Sequence, residues 1–365
     1  MKRRDFITKA GLGTAAAVAG SGLAAPAIAQ GSKTMTIVTT WPRDFPGLGL
    51  SAQRLAKRIT EISDGAIQTE YFAAGERVAA FDSFDEVASG NSQAYIAADY
   101  YWQGTHPGWA FFTAVPFGMS TIEHNAWIRY KGGQELWDKH AADYGLKNLL
   151  AGSTGTQAGG WFNKEMNSVD DWKGLKMRIP GLGGAVLTRL GASTVSLPGS
   201  QIFENLTSGA IDATEWVGPY NDYFLRFFEA AKYYYTGGMH EIGGKIAMGM
   251  NASWWGSLTQ YEQTVIQAAA AEEDAAQYEE TYAYNGVYLK KLIEEEGVQM
   301  REFSDDSWDA FGEATAAVLE ETRDHSARAK EIADAYRTAM LETGETIAKF
   351  ELQAVNQRNR VLGLT

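Results

Sequence analysis

Short strand-type and helix-type runs alternate along the first two-thirds of the chain. Residues 34–40 alternate apolar and polar side chains, as a strand with one buried face does. Residues 50–63 then place apolar side chains at helical spacing until Gly65, and residues 67–72 return to the strand pattern. This strand–helix–strand order predicts the start of an α/β sandwich.

The alternation continues as far as residue 250. Further strands are predicted at residues 94–98, 149–153, 161–163, 176–179, 194–197, 211–216 and 245–250, and short helices at residues 81–88, 184–190 and 200–207. Ser200 is the predicted N-cap of the last helix, because its hydroxyl can accept a hydrogen bond from the first turn. The strand at residues 245–250 is expected to return to the first of two lobes.

From Leu258 onward the pattern becomes helical. Residues 259–295 are rich in Ala and Glu, contain one glycine and no proline, and predict one or two long helices. Residues 306–342 predict a further helical run that ends before Gly344. The chain is therefore predicted to be an α/β protein of two lobes with a helical carboxyl-terminal third.

The length and charge of the chain limit the classes of function. Without residues 1–29, which have the form of an export signal, about 336 of the 365 residues remain, enough for two lobes with separate cores. The formal charge of −13 then becomes about −16, because that segment carries four basic side chains and one acidic one. Such an acidic chain is not expected to bind nucleic acid, and a site for an anion needs a local positive charge.

The amino terminus resembles a twin-arginine signal peptide. Residues 2–7 (KRRDFI) precede an Ala- and Gly-rich stretch at residues 10–25, and residues 27–29 (AIA) have the form of a signal peptidase site. The alternative is a membrane anchor, but glycines interrupt the apolar run, and a stable span needs roughly 20 apolar residues. The predicted location is the periplasm, and the lack of cysteine excludes a disulfide framework there.

Two blocks place charged side chains at the ends of predicted strands. Residues 173–178 read KGLKMR and residues 209–215 read GAIDATE. They resemble the K-G-L-K-hydrophobic-R and G-x-I-D-x-x-E blocks of the solute-binding proteins that serve tripartite ATP-independent periplasmic (TRAP) transporters. The resemblance implies a hinged, two-lobed receptor that closes on a small organic acid anion and presents it to a membrane permease. It implies a binding protein and not an enzyme.

Arg178 is the predicted anchor for the acid. Open α/β sheets bind ligands beyond the carboxyl ends of their strands, and Arg178 ends a predicted strand. A guanidinium group is permanently charged and can grip a carboxylate with two parallel hydrogen bonds. The alternative is a surface arginine paired with an aspartate, but the resembled family uses the arginine of this block for the substrate carboxylate.

A bound cation is the second predicted feature of the site. Residues 213–220 (ATEWVGPY) resemble the subset of the family that binds 2-oxo or 2-hydroxy monocarboxylates through a cation. The resemblance implies a shell made of Gln157, Glu215, the backbone carbonyl of Trp216 and Glu241. Oxygen ligands of this kind suit Na⁺ or Ca²⁺, and each side chain has a purely structural role as its alternative.

Aromatic side chains are expected on the opposite wall. Tyr100 and Tyr101 can exclude water and offer hydroxyl groups to the acid, and Gln157 is expected to contact it as well. Packing in the core is the competing interpretation for both tyrosines. Arg43 is interpreted as facing solvent, although it could supply a second positive charge.

The predicted domain layout follows from these assignments. Residues 1–29 form the signal, residues 30–155 and 245–275 form lobe I, and residues 156–244 form lobe II. Residues 276–365 form a helical region that packs on both lobes. In some members of the resembled family a terminal helix exchanges across a dimer, so the sequence leaves open whether this region makes a homodimer.

Two alternatives remain open from the sequence. The chain could be a TRAP receptor that binds a dicarboxylate or uronate without a metal. It could also be a secreted hydrolase that uses two carboxylates, with Glu215 paired to Glu241 or Asp212. No nucleophile and base are evident for the hydrolase, and the five histidines show no spacing typical of a metal site or a catalytic triad.

Overall fold

The computed structural model describes residues 32–364. The predicted signal peptide lies outside the described residues. No helix within residues 32–364 combines the length and apolar character needed to cross a membrane.

The described residues form two mixed β-sheets surrounded by helices. In chain order the strands are β1 (Lys33–Thr39), β2 (Ile67–Phe72), β3 (Ala94–Ala97), β4 (Leu146–Gly155), β5 (Gly160–Phe162), β6 (Lys176–Arg178), β7 (Ser193–Val195), β8 (Ala213–Thr214), β9 (Tyr233–Tyr235), β10 (Gly244–Asn251) and β11 (Gln299–Arg301). The helices are α1 (Leu48–Ile62), α2 (Ser83–Ala88), α3 (Thr121–Tyr130), α4 (Gly133–Ala142), α5 (Gly181–Arg189), α6 (Gly199–Ser208), α7 (Pro219–Leu225), α8 (Ala252–Gly256), α9 (Gln260–Glu294), α10 (Asp305–Asp324), α11 (Ala327–Thr346) and α12 (Gln353–Leu362).

The first lobe is built on a sheet with the strand order β2-β1-β3-β10-β4. Strands β1 and β2 are parallel, and α1 connects them as predicted. The apolar face of α1 is buried through Leu55, Ala56 and Ile59, and the helix ends shortly before Gly65, whose φ of 76° few other residues adopt easily. Strand β10 pairs antiparallel with both β3 and β4, which confirms its predicted return to the first lobe.

The second lobe is built on a sheet with the strand order β11-β9-β5-β8-β6-β7. Strands β7, β6 and β8 are parallel, so the carboxyl ends of β6 and β8 lie at the same edge. The predicted strand at residues 211–216 is reduced to β8, because the chain turns away after Thr214. The predicted N-cap Ser200 is wrong: α6 begins one residue earlier, with Pro198 at the cap position.

The carboxyl-terminal third is helical, as predicted. Helix α9 is a single helix of 35 residues that packs on β4 and α1 of the first lobe and on α7 of the second. The predicted run at residues 306–342 is divided at Ser326, whose side chain accepts a hydrogen bond from Ala329 N and starts α11. The predicted end before Gly344 is wrong, because α11 continues to Thr346; one glycine costs a helix only about 1 kcal/mol.

Candidate functional site

A cavity of only about 20 Å³, room for about one water molecule, lies between the two sheets, so the lobes leave little free space here. The lining includes Tyr100 and Tyr101 from the first lobe and Arg178 and Trp216 from the second.

Arg178 and Glu215 meet because their strands are parallel neighbours. Arg178, the last residue of β6, is paired with Thr214 in β8, so Glu215 follows directly at the same sheet edge. The Arg178 Nη1 atom donates a hydrogen bond to the Glu215 carbonyl oxygen at 3.1 Å and forms an ion pair with the Glu215 carboxylate. Arg178 is 1% exposed, which rules out the alternative of a surface arginine.

The position of Arg178 is fixed by further contacts. Its Nε atom donates to the Leu197 carbonyl oxygen at 3.1 Å, and its guanidinium carbon lies 5.2 Å from the centre of the Trp216 ring. Burial acts to lower the pKa of Arg178 and the nearby Glu215 acts to raise it; the resulting pKa lies above its ordinary value. The guanidinium therefore stays charged inside the cavity.

Gln157 and Glu241 meet through the pairing of β4 with β10. Gly155 at the end of β4 pairs with Gly244 at the start of β10, which brings the residues just beyond these ends together. The Gln157 backbone N–H donates to the Glu241 carbonyl oxygen at 3.0 Å. The Gln157 Nε2 atom donates to Glu241 Oε2 at 2.7 Å, whereas Gln157 Oε1 is buried without a hydrogen-bond partner among the described residues. That oxygen is available to a ligand or an ion.

The two carboxylates and His240 form one buried cluster. Ligand atoms of Glu215, His240 and Glu241 lie within 4.8 Å of one another, and His240 Nε2 is 3.2 Å from Glu215 Oε2. Burial, followed by the negative charge of Glu215, raises the pKa of Glu241 to about 7. For His240, burial lowers the pKa but the hydrogen bond to Glu215 raises it, and the net shift is upward. A cation bound here would relieve the repulsion between the carboxylates.

Trp216 also lines the cavity. It lies outside the helices and strands, and none of the hydrogen bonds in the turns and loops of residues 32–364 ends on its carbonyl oxygen. Its ring packs so closely over Gly199 that a Cβ atom there would lie 2.5 Å from the indole. The ring therefore serves packing, and the carbonyl oxygen is free to act as a ligand.

Tyr100 and Tyr101 form the first-lobe wall, as predicted. They lie on the 3₁₀ helix Asp99–Trp102 directly after β3, with their ring centres 5.0 Å apart. Burial raises the pKa of Tyr101 to about 12 and that of Tyr100 well above its usual range, so both phenols stay neutral. Arg43 lies apart from this wall, where it forms an exposed ion pair with Glu76, in agreement with the solvent-facing interpretation.

Sequence reasoning missed His240. Histidine spacing gave no signal, because its partner Glu215 is 25 residues away and the two approach only when β8 and the loop before β10 converge. Its position next to Glu241 was the one available clue. Asp212, considered as a hydrolase carboxylate, is not part of the cavity lining; it accepts a hydrogen bond from Lys176 N at 3.0 Å near the surface.

Comparison with known proteins relates this site to solute binding. The profile of the bacterial extracellular solute-binding proteins, family 7, matches residues 37–325. A monocarboxylate 2-oxoacid-binding periplasmic protein of Nostoc sp. is 36% identical over 92% of this chain and 93% of its own length.

Two solved structures resemble the whole described chain. A TRAP periplasmic solute-binding protein from Pseudoalteromonas atlantica, with bound sodium and pyruvate, has a TM-score of 0.86 at 34% identity and covers 89% of this chain and 99% of its own. A second, from Colwellia psychrerythraea with bound calcium and pyruvate, has a TM-score of 0.85 at 35% identity with the same coverage of 89% and 99%. The predicted two-lobed fold is thereby confirmed.

Proposed function

The chain belongs to the bacterial extracellular solute-binding proteins of family 7, and we propose that it is a TRAP receptor for small 2-oxo or 2-hydroxy monocarboxylates. The acid binds together with a Na⁺ or Ca²⁺ ion in the cavity between the lobes, and a membrane permease receives it. The observation that carries this proposal is the buried meeting of Arg178 with the Gln157, Glu215 and Glu241 cluster.

Arg178 is the proposed anchor of the substrate carboxylate. In the structure Arg178 and Glu215 neutralise each other, which a buried charge requires. Na⁺ beside Glu215 and a carboxylate beside Arg178 would replace this pair with two pairs of the same total charge, and with Ca²⁺ the ionised Glu241 would balance the second positive charge. The acid and the ion would therefore enter at little electrostatic cost only when they enter together.

The proposed ion shell consists of oxygen atoms. Gln157 Oε1 is buried without a partner, the Trp216 carbonyl oxygen accepts no turn or loop hydrogen bond among the described residues, and Glu215 and Glu241 supply negative charge. Hard oxygen donors suit Na⁺ and Ca²⁺. The relatives from P. atlantica and C. psychrerythraea hold sodium and calcium, each with pyruvate, which supports the same class of ion and acid here.

The cavity favours a monocarboxylate over the metal-independent alternative. A dicarboxylate needs a second positive partner, and the other basic residue in the lining, Lys245, is fully buried and already paired with Asp274. Tyr100 and Tyr101 are proposed to contact the short side chain of the acid, with Gln157 near its oxygens. The proposed role is that of a receptor, in line with the solute-binding family to which the chain belongs.

Export and domain layout complete the proposal. Residues 1–29 are the proposed twin-arginine signal that sends the protein to the periplasm. Residues 30–155 with 245–275 form lobe I, residues 156–244 form lobe II, and residues 276–365 form the helical region. Helix α9 contacts β4 and α1 of the first lobe and α7 of the second, which supports closure of the lobes about this long helix.

The end of the helical region is proposed to join two copies of the chain. Phe350, Leu352, Val361 and Leu362 are large apolar side chains that stay more than half exposed on α12 and on the π-helix Ile347–Leu352 before it. Light scattering of the mature protein should give twice the monomer mass. A monomer at tens of micromolar would contradict this part of the proposal.

Thermal unfolding with a panel of acids tests the function. Pyruvate and lactate at about 100 times their dissociation constants should stabilise the mature protein by roughly 2.7 kcal/mol when Ca²⁺ or Na⁺ is present. The stabilisation should disappear with a chelator in sodium-free buffer. Stabilisation by succinate or glucuronate that persists under these conditions would instead favour the metal-independent receptor, and no response to any acid would contradict the receptor function.

A further inference from the structure

Asp222 is a buried carboxylate directly behind the proposed ion site. It lies in the first turn of α7, is fully buried, and forms no ion pair with the described residues. Its Oδ1 atom accepts hydrogen bonds from the backbone N–H groups of Val217 at 3.1 Å and Gly218 at 3.0 Å. Its Oδ2 atom accepts from Trp161 Nε1 at 2.9 Å and from the Tyr234 hydroxyl at 3.0 Å.

The hydrogen bond from Val217 fixes the orientation of the Trp216 carbonyl group. The Val217 N–H and the Trp216 C=O belong to one peptide group, and in a planar trans peptide they point in opposite directions. Because the N–H points at Asp222, the carbonyl oxygen of Trp216 points away from it. Trp216 and Val217 both line the cavity, and this carbonyl oxygen accepts no hydrogen bond in the turns and loops of residues 32–364.

The neighbouring peptide provides an internal comparison. The Gly218 N–H also donates to Asp222 Oδ1, but the carbonyl group of its peptide, that of Val217, accepts a hydrogen bond from Ala158 N at 2.9 Å. Asp222 therefore holds two successive peptide groups. The Val217 carbonyl oxygen accepts a hydrogen bond within the fold, whereas the Trp216 carbonyl oxygen accepts none in the turns and loops of residues 32–364.

We propose that Asp222 is a positioning residue for the cation: it holds the Trp216–Val217 peptide so that the Trp216 carbonyl oxygen faces the ion. When ionised, the carboxylate also polarises this peptide, because negative charge at the N–H end increases the electron density on the carbonyl oxygen. The inference rests on the proposed function, in which that oxygen is a ligand. Hydrogen-bond partners behind metal ligands commonly change metal affinity by about 10- to 100-fold when they are removed.

Asp222→Asn is the variant that tests the inference. Calorimetric titration with Ca²⁺ at saturating pyruvate should show an affinity about 10-fold or more below that of the wild-type protein. Tyr234→Phe is the matched control, because it removes a donor from Oδ2 and leaves the Val217 and Gly218 bonds intact. It should lower the unfolding temperature in chelator yet keep the Ca²⁺ affinity within about threefold.

Equal Ca²⁺ affinity in the wild-type protein and Asp222→Asn, with reduced stability in the variant, would overturn the inference and leave a purely structural role. Failure of the wild-type protein itself to bind Ca²⁺ with pyruvate would instead contradict the proposed function. The two failures are therefore distinguishable.

A measurement on the wild-type protein keeps the inference testable if Asp222→Asn does not fold. In protein labelled with ¹⁵N and ¹³C, Ca²⁺ and pyruvate should shift the Trp216 carbonyl carbon and the Val217 amide proton to lower field. The Gly218 amide proton should move less, because the carbonyl group of its peptide is hydrogen-bonded to Ala158. Equal shifts at Val217 and Gly218 would contradict the proposal.

Discussion

Asp99 in the first lobe and Asp222 in the second are buried aspartates with similar partners but different consequences. In the first lobe Asp99 accepts hydrogen bonds from the Tyr95 hydroxyl, Trp137 Nε1 and Asn148 Nδ2, each at 2.9 Å. All three donors are side chains. Asp99 therefore ties β3, α4 and β4 together beneath the segment that carries the two cavity tyrosines.

In the second lobe Asp222 also accepts hydrogen bonds from an indole and a phenol, but its other oxygen holds two backbone amides beside the proposed ion site. The two cavity walls in front of these aspartates also differ, one being neutral and the other charged. The first lobe presents the neutral rings of Tyr100 and Tyr101, whereas the second presents Arg178 and Glu215. The first lobe shapes the cavity, and the second supplies its charge.

Arg178→Ala tests the charged side of this comparison and should have the largest effect. Removing one partner of a buried charge pair costs about 2–5 kcal/mol, so the affinity for pyruvate at saturating Ca²⁺ should fall by about 100-fold or more. Calorimetry measures the affinity, and Arg178→Lys, which keeps the charge without the planar fork, should lose less. An unchanged affinity in Arg178→Ala would contradict the proposal that Arg178 binds the carboxylate of the acid.

Glu241→Gln tests the ion shell in the same lobe. Loss of this carboxylate should lower the Ca²⁺ affinity by about 10- to 100-fold, because charge is lost at a proposed ligand. Asp212→Asn is the matched control, since Asp212 lies in the same lobe outside the cavity lining and bonds to Lys176 N. Comparable losses in the two variants would indicate a general effect of negative charge and not a defined ion shell.

The charged residues of the cavity are easier to predict from the sequence than the buried residues that support them. Arg178 and Glu215 could be predicted because residues 173–178 and 209–215 resemble blocks of the TRAP solute-binding proteins. The rule that ligands lie beyond strand ends supported the choice of Arg178. The observed positions of these two residues agree with that rule.

The rest depended on contacts that no local pattern encodes. Gln157 and Glu241 are 84 residues apart and meet only through the pairing of β4 with β10. The roles of Asp99 and Asp222 require knowledge of which indole and phenol lie nearby, and these come from other elements of the fold. Periodicity predicts which face of an element is buried, but not which buried polar groups become partners.

Asp99→Asn tests what the two aspartates share and where they differ. Both have a pKa raised by burial, but only Asp222 accepts hydrogen bonds from backbone amides beside the proposed ion site. Burial raises the pKa of Asp99 to about 7 in the folded protein, above the ordinary value of 3.8. The folded chain therefore holds this proton more tightly than the unfolded chain. Its contribution to stability is fully present below about pH 4 and is lost as the pH rises through about 7.

Between pH 5 and pH 7 the free energy of unfolding of the wild-type protein should consequently fall by about 2 kcal/mol relative to Asp99→Asn. Urea denaturation in chelator measures both proteins. Burial also raises the pKa of Asp222 to about 7. The free energy of unfolding of the wild-type protein should therefore fall in the same way relative to Asp222→Asn. Only Asp222→Asn should also change the Ca²⁺ affinity; a similar change in Asp99→Asn would remove the difference between the lobes.

Tyr101→Phe tests the neutral wall and should have the smallest effect. Loss of one neutral hydrogen bond costs about 0.5–1.5 kcal/mol, so the affinity for pyruvate should fall by no more than about 10-fold while Ca²⁺ binding stays unchanged. Calorimetry with each ligand in turn measures both values. A loss as large as that of Arg178→Ala would show that the first lobe supplies more than shape.

The most direct test of the proposed function is calorimetric titration of pyruvate into the mature wild-type protein before and after removal of cations. With Ca²⁺ present, pyruvate should bind saturably at one site per chain. After chelation in sodium-free buffer, binding should weaken by about 100-fold or more, and it should return when Ca²⁺ is added back. Pyruvate binding of equal affinity in both buffers would contradict the claim that acid and cation bind together.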